Sequence, residues 1–84
     1  MSKYLSPYRW HITWELGSKV DIQGPMGLAA GVVDNPQTFE LRDDDGEVYC
    51  KGTLYGDWYG FEPLDDYGAP SLGATEVWMG GERV

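Results

Sequence analysis

The sequence predicts a mainly β protein, with an α+β fold as the alternative, built as a single small antiparallel sheet of four or five strands. A long aromatic loop and at most one short helix complete this prediction. Three observations lead to it: apolar and polar residues alternate from Tyr8 to Leu16, an Asp-Gly turn separates two further alternating segments, and 12 of the 84 residues are glycines, which punctuate turns. Because 84 residues make one small domain, we predict a single domain over residues 1–84.

The first alternating segment predicts the first strand. One face is apolar and the other polar: the apolar set is Tyr8, Trp10, Ile12, Trp14 and Leu16, and the polar set is Arg9, His11, Thr13 and Glu15. Period two is typical of a half-buried strand, so Trp10 and Trp14 are both predicted to lie in the core. A break at Gly17-Ser18 and a second strand that ends at Gly24-Pro25 predict a hairpin or a bent strand. The segment 25–31 has room for one or two helical turns at most.

The second hairpin is predicted around Asp43-Asp44-Asp45-Gly46. A two-residue loop would pair Leu41 with Cys50 and Arg42 with Tyr49, whereas a four-residue loop would pair Leu41 with Val48 and Arg42 with Glu47. A three-residue loop is rejected because it would mix apolar and charged positions on one face. Both accepted registers give the same inner face, which consists of Phe39, Leu41, Val48, Cys50 and Leu54.

A long loop is predicted from Gly56 to Gly73, followed by a last strand from Thr75 to Met79 and a short glycine-rich tail. In the last strand Val77 faces inward, together with either Met79 or Trp78. Loops of this length are uncommon in compact domains and are often functional. Its aromatic residues are either anchors that fold back onto the sheet or exposed interface residues. The side on which Trp58, Phe61 and Tyr67 lie distinguishes the two.

The charge is strongly acidic and is concentrated in one segment. Fourteen acids and 6 bases give a net charge of −8, and the segment from Asp34 to Asp66 contains ten acids and two bases. This balance argues against direct nucleic-acid binding and against an anionic membrane surface. It favours a protein partner with a basic surface, with simple solubility as the alternative explanation. The predicted partner surface is Asp43, Asp44, Asp45, Glu47, Asp57, Trp58, Tyr59, Glu62, Asp65, Asp66 and Tyr67.

No catalytic residue, cofactor or metal site is predicted. The one histidine, His11, lies on the polar face of its strand, while the one cysteine, Cys50, lies on the inner face of another. Glu62 with Asp65-Asp66 is the one carboxylate group in an aromatic neighbourhood, and such residues more often cap turns. The DDDG run does not fit an EF-hand, because Leu41 and Gly52 would occupy ligand positions. Only a weak, adventitious cation site stays open.

The location predicted from the sequence is the cytoplasm. A lone cysteine fits a reducing compartment, and neither a signal peptide nor a membrane-spanning apolar stretch is evident. The stretches Tyr8-Arg-Trp-His-Ile-Thr13, Phe39-Glu-Leu-Arg-Asp-Asp-Asp-Gly-Glu-Val-Tyr49 and Gly60-Phe-Glu-Pro-Leu-Asp-Asp-Tyr-Gly68 resemble a family of small acidic uncharacterised proteins of actinobacteria and their phages or mobile elements. The chain departs from that pattern at Ala74, where a cysteine is expected, and in a short segment after Gly24-Pro25. The resemblance implies a phage or mobile-element setting, hence a host cytoplasm, and brings no site residues.

Two functions are consistent with these observations. The first is a noncatalytic interaction or modulator protein that binds a host protein through an acidic face, in its sharper form an inhibitor that mimics nucleic-acid phosphate. The second is a small-ligand or cation-binding domain that uses the loop 56–73 as a lid. A homodimer is also expected if an apolar face of the sheet stays uncovered.

Overall fold

The computed structural model describes residues 5–25 and 27–84. The strands are β1 (Leu5–Ser6), β2 (Tyr8–Glu15), β3 (Ser18–Gly24), β4 (Gly27–Leu28), β5 (Gln37–Arg42), β6 (Val48–Gly56), β7 (Glu76–Met79) and β8 (Glu82–Arg83), and a π-helix covers Leu64–Leu72. Six strands form one antiparallel sheet in the order β3-β2-β6-β5-β7-β8, while β1 and β4 form a separate parallel pair. The predicted mainly β fold is confirmed. The prediction that 56–73 is entirely a loop is wrong, because the chain forms a helix there that begins after Pro63 and ends at Gly73, which adopts the left-handed conformation. The sheet has six strands because the glycine-rich tail turns back and pairs as β8.

The core lies on one face of the sheet, which we call the inner face. Its buried residues are Trp10, Ile12, Phe39, Leu41, Cys50, Leu54, Leu64, Ala74 and Val77. Segment 56–73, which includes the π-helix, covers this face, since Trp58, Phe61, Tyr67 and Leu72 pack against the buried residues. Gly68 allows the close approach, because a Cβ there would lie 2.5 Å from Leu41 Cδ1. The chain itself therefore covers the apolar face, and the reason given for a homodimer does not apply.

The prediction that Trp14 lies in the core is wrong, and a β-bulge explains why. The register of β2 shifts between Ile12 and Trp14 against both neighbouring strands. Before the shift, Trp10 and Ile12 point inward, as predicted. After it, Trp14 lies opposite Lys51 on the outer face and Glu15 lies opposite Cys50 on the inner face. One extra residue in a strand reverses the face of every residue that follows.

The second hairpin follows the two-residue register up to a second irregularity. Glu40 pairs with Lys51 and Leu41 with Cys50, but Arg42 pairs with Val48 rather than with Tyr49. Val48 is half-buried and lies outside the core, so its predicted inner position is wrong. The bulge at Tyr49 accommodates a loop that runs from Asp43 to Glu47.

Two shorter elements also differ from the prediction. The segment 25–31 contains strand β4, which pairs with β1, instead of a helical turn, and Met26 lies outside the described residues. In β7, Val77 is fully buried and Met79 packs against the core, whereas Trp78 lies opposite Glu40 on the outer face. Leu16 is in the turn after β2 and is 60% exposed.

Candidate interaction surfaces

The aromatic residues of segment 56–73 serve mainly as anchors. Trp58, Phe61 and Tyr67 are half-buried against the core, and the Tyr67 ring packs at a tilt of 44° against Trp10, with the ring centroids 5.6 Å apart. The Tyr67 hydroxyl donates a hydrogen bond to Glu15 Oε1 at 2.5 Å, which gives the inward-facing Glu15 a half-buried partner. This bond, with burial, raises the pKa of Tyr67 to about 12. Trp58 and Tyr67 thus pack against the core. Tyr59, by contrast, projects outward and is 67% exposed.

Glu62 is a buried structural carboxylate. Only 4% of the residue is exposed, and its two oxygens accept backbone hydrogen bonds from Tyr59 N at 2.7 Å and Gly60 N at 2.9 Å. Each oxygen satisfies a different amide, so the side chain closes the turn that precedes the π-helix. A partner cannot reach it without opening that turn.

An acidic patch forms beside this turn, and we define it as Tyr8, Tyr59, Asp65 and Asp66. The Tyr59 hydroxyl donates to Asp65 Oδ2 at 3.2 Å, and the Tyr8 hydroxyl donates to Asp66 Oδ2 at 2.8 Å. Trp10 Nε1 also donates to Asp66 Oδ2, at 3.1 Å. Burial and then the bond to Asp66 raise the pKa of Tyr8 to about 12, and the bond to Asp65 raises the pKa of Tyr59. The two hydroxyl groups thus each donate to an exposed carboxylate, one to Asp65 and one to Asp66.

The acids of the β5–β6 loop are arranged differently. Asp43 Oδ1 accepts from Asp45 N at 3.0 Å and Glu47 N at 2.9 Å, and Asp43 Oδ2 accepts from the Tyr49 hydroxyl at 3.1 Å. Carboxylate oxygens of Asp43, Asp44 and Asp45 lie within 4.8 Å of one another. With three donors already bound, the Asp43 carboxylate shapes the loop. Asp44, Asp45 and Glu47 are exposed at its tip, as Asp57 is elsewhere on segment 56–73.

The charges separate onto two sides of the sheet. All five bases of the described residues lie on the outer face: Arg9, Lys19, Arg42, Lys51 and Arg83. Three ion pairs form among the described residues: Arg42–Glu40 at 2.6 Å, Arg83–Glu76 at 3.6 Å and His11–Asp21 at 2.7 Å. Of the ten acids between Asp34 and Asp66, only Glu40 has a cationic partner among residues 5–25 and 27–84. The other carboxylates of that segment are exposed or accept hydrogen bonds from tyrosine hydroxyls and backbone amides.

The residues considered for chemistry do not meet. His11 lies on the outer face, where its Nε2 contacts Asp21 Oδ1, and Cys50 is fully buried on the inner face. Glu62 is bound to the backbone, while Asp65 and Asp66 face outward. His11 and Cys50 therefore lie on opposite faces of the sheet.

The buried thiol gives a direct test of the core. Burial, together with the charge of Glu15, raises the pKa of Cys50 to about 12, so the thiolate fraction at pH 7 is on the order of 10⁻⁵. We expect the native protein not to react with a disulfide reagent such as dithionitrobenzoate at pH 7.5, and to react stoichiometrically in denaturant. Absorbance at 412 nm measures both. Full reaction of the native protein at the rate of the denatured chain would contradict the packing described above.

Comparison of the chain with known protein families, with curated proteins and with solved structures gave no match. Within residues 5–25 and 27–84, no helix has the length and apolar character needed to cross a membrane.

Proposed function

We propose that the chain is a noncatalytic interaction protein that binds a basic surface of a partner protein through the acidic patch. One observation carries this proposal: Tyr59 is 67% exposed between carboxylates that have no cationic partner among the described residues. Tyrosine is a frequent energetic centre of protein interfaces, and unpaired carboxylates beside it steer and orient a basic partner. In its sharper form, the partner is a nucleic-acid-binding protein whose phosphate site receives Asp65 and Asp66.

The proposed cellular location and genetic context rest on the sequence. A host cytoplasm suits a chain with one buried cysteine, and a phage or mobile element is the genetic context that the resemblance implies. The β5–β6 loop and Asp57 add to the negative field that attracts the partner, whereas the acidic patch makes the contact. The alternative, a ligand site under segment 56–73, is not favoured because the aromatic residues of that segment fill the space above the sheet.

The test compares two charge-matched variants in capture from a bacterial lysate. Asp65→Asn with Asp66→Asn changes the patch, and Asp44→Asn with Asp45→Asn makes the same charge change at the loop tip. We expect the wild-type chain and the loop variant to retain a basic protein. The patch variant and Tyr59→Ala should retain about tenfold less of that protein. Mass spectrometry identifies the retained protein, and urea unfolding verifies that each variant is folded.

Salt dependence separates the two forms of the proposal. A partner that binds nucleic acid and is released steeply between 50 and 300 mM NaCl supports phosphate mimicry. Equal retention by the patch and loop variants would mean that the acids act only through overall charge and would refute a localised interface. Retention of no basic protein by the wild-type chain would refute the proposal itself.

A further inference from the structure

The outer face of the sheet carries a row of residues that crosses all six strands. The pairing registers place one residue of each strand side by side, in the order Lys19, Trp14, Lys51, Glu40, Trp78 and Arg83. We call this set the outer row. Six strands at about 4.8 Å spacing make it roughly 24 Å long. Three of its members are cations and two are tryptophans, so it differs in kind from the acidic side of the molecule.

The aromatic rings of the outer face are each paired with a cation. Lys51 Nζ lies 5.1 Å from the Trp14 ring centroid, and Arg42 Cζ lies 4.1 Å from that of Trp78. A third pair, next to the row, has Arg9 Cζ at 4.4 Å from the Tyr55 centroid. These contacts hold flat rings and positive groups together on a surface that is half-buried to exposed.

A concavity of about 390 Å³ lies along the same row. Residues that contribute to its lining include Thr13, Thr38, Thr53, Lys51, Arg42 and Trp78. The volume falls in the range of small-molecule sites, roughly 300–1,000 Å³. Threonine hydroxyls, the Lys51 ammonium and the Arg42–Glu40 ion pair line it beside the Trp78 ring, which places one cation without an ion-pair partner among the described residues next to a flat ring.

We propose that the outer row binds a single-stranded nucleic acid that runs across the strands of the sheet. Aromatic side chains on a sheet stack with unpaired bases, and flanking cations contact the phosphates. A length of 24 Å accommodates about seven stacked nucleotides at 3.4 Å each, within the usual range of 4 to 16 for one binding module. A duplex keeps its bases stacked on each other and cannot use the rings in this way.

The net charge of −8 does not prevent this binding, because the charges are separated. The outer face carries five cations and three acids, namely Asp21, Glu40 and Glu76, each bonded to a base or to His11. At 0.15 M salt the Debye length is about 8 Å, shorter than the roughly 10 Å between packed layers of a protein. The acids of segment 56–73, which covers the inner face, are thus largely screened at this salt concentration from a strand that lies on the outer row.

The experiment is a fluorescence titration with a 15-nucleotide oligothymidylate, with a 15-base-pair duplex as comparison. We expect the single strand to bind and to quench tryptophan fluorescence, with the duplex binding much more weakly. Trp14→Ala and Trp78→Ala should each weaken binding about 5- to 150-fold. Val33→Ala, a change at a residue that is 74% exposed in a loop, serves as control and should bind like the wild type. Contact with three phosphates predicts a slope of about −2 in a plot of log K against log salt.

The urea midpoint and the reactivity of Cys50, measured for every variant, distinguish a loss of folding from a loss of binding. If a tryptophan variant does not fold, Lys19→Gln with Lys51→Gln replaces it, because both lysines are exposed, and weaker binding with a shallower salt slope is expected. No binding by the wild-type chain at 0.15 M salt would overturn the proposal. Equal affinity for duplex and single strand, or wild-type affinity in the folded variants, would overturn it as well. The outer row and the acidic patch lie on opposite sides of the sheet, so Tyr59→Ala should leave nucleic-acid binding unchanged. The two proposals can therefore be refuted separately.

Discussion

Gly52→Ala is expected to lower the free energy of unfolding by at least about 3 kcal/mol at 25 °C. Gly52 lies on the inner face of β6, between Ile12 of β2 and Phe39 of β5. A Cβ there would collide with the backbone carbonyl oxygen of His11 and lie 2.9 Å from Ile12 Cα. Backbone atoms cannot move away as a side chain can, so β2 and β6 would have to separate at the centre of the sheet.

The size of this effect follows from the small reserve of stability. At about 0.05–0.15 kcal/mol per residue, an 84-residue chain has roughly 4–13 kcal/mol in total. Overpacking typically costs about 1–3 kcal/mol even where side chains can adjust, and here they cannot. Far-UV circular dichroism and the reactivity of Cys50 measure the loss. Gly46→Ala is the control, because Gly46 has φ +87° but open space around it, and we expect a modest drop of about 1 kcal/mol. A Gly52→Ala protein with the wild-type urea midpoint would show that the two strands are farther apart than described.

Glu62→Gln is expected to lower the free energy of unfolding by about 2–3 kcal/mol. The carboxylate of Glu62 offers an acceptor to each of two backbone amides, Tyr59 N and Gly60 N. A glutamine has one acceptor and one NH₂ group, so one buried amide would meet a second donor instead of an acceptor. An unsatisfied buried donor costs about 1–3 kcal/mol, and the lost charge weakens the bond that remains.

The matched control is Asp65→Asn, the same chemical change three residues further on, where the carboxylate is exposed. Urea unfolding followed by tryptophan fluorescence gives both values. We expect the Asp65 variant to stay within about 0.5 kcal/mol of the wild type. Equal midpoints for the two variants would mean that the turn before the π-helix does not depend on Glu62.

Alternation predicts which face a residue occupies only as long as the strand stays regular. Trp10 and Ile12 are in the core as the pattern requires, and Leu41 and Cys50 pair as one of the two predicted registers requires. Trp14 is not in the core, because a bulge adds one residue to the strand and leaves the alternation of residue types unchanged. Both bulges depend on contacts with neighbouring strands, and the alternation of residue types within one strand carries no information about those contacts.

The candidate surfaces were predictable in part. Charge counting locates the acidic segment, and the structure places Asp44, Asp45, Asp57, Asp65 and Asp66 at the surface. Charge counting does not reveal that Glu62 is buried, because a buried glutamate and an exposed glutamate contribute the same charge to the count. The outer row needs the order of all six strands, because residues as far apart in sequence as Lys19 and Arg83 contribute to it. The only signal in the sequence is the run of polar and basic residues on alternate positions of the strands.

The outer row also has a thermodynamic consequence. Each of its six residues comes from a different strand, so the row exists only when the whole sheet has formed, and local unfolding of either edge strand removes one end of it. Any molecule that binds the complete row is therefore coupled to the global folding equilibrium. At a concentration of 100 times its Kd such a molecule would add about 2.7 kcal/mol of stability. For a chain whose total stability is roughly 4–13 kcal/mol, that addition is a large fraction of the whole.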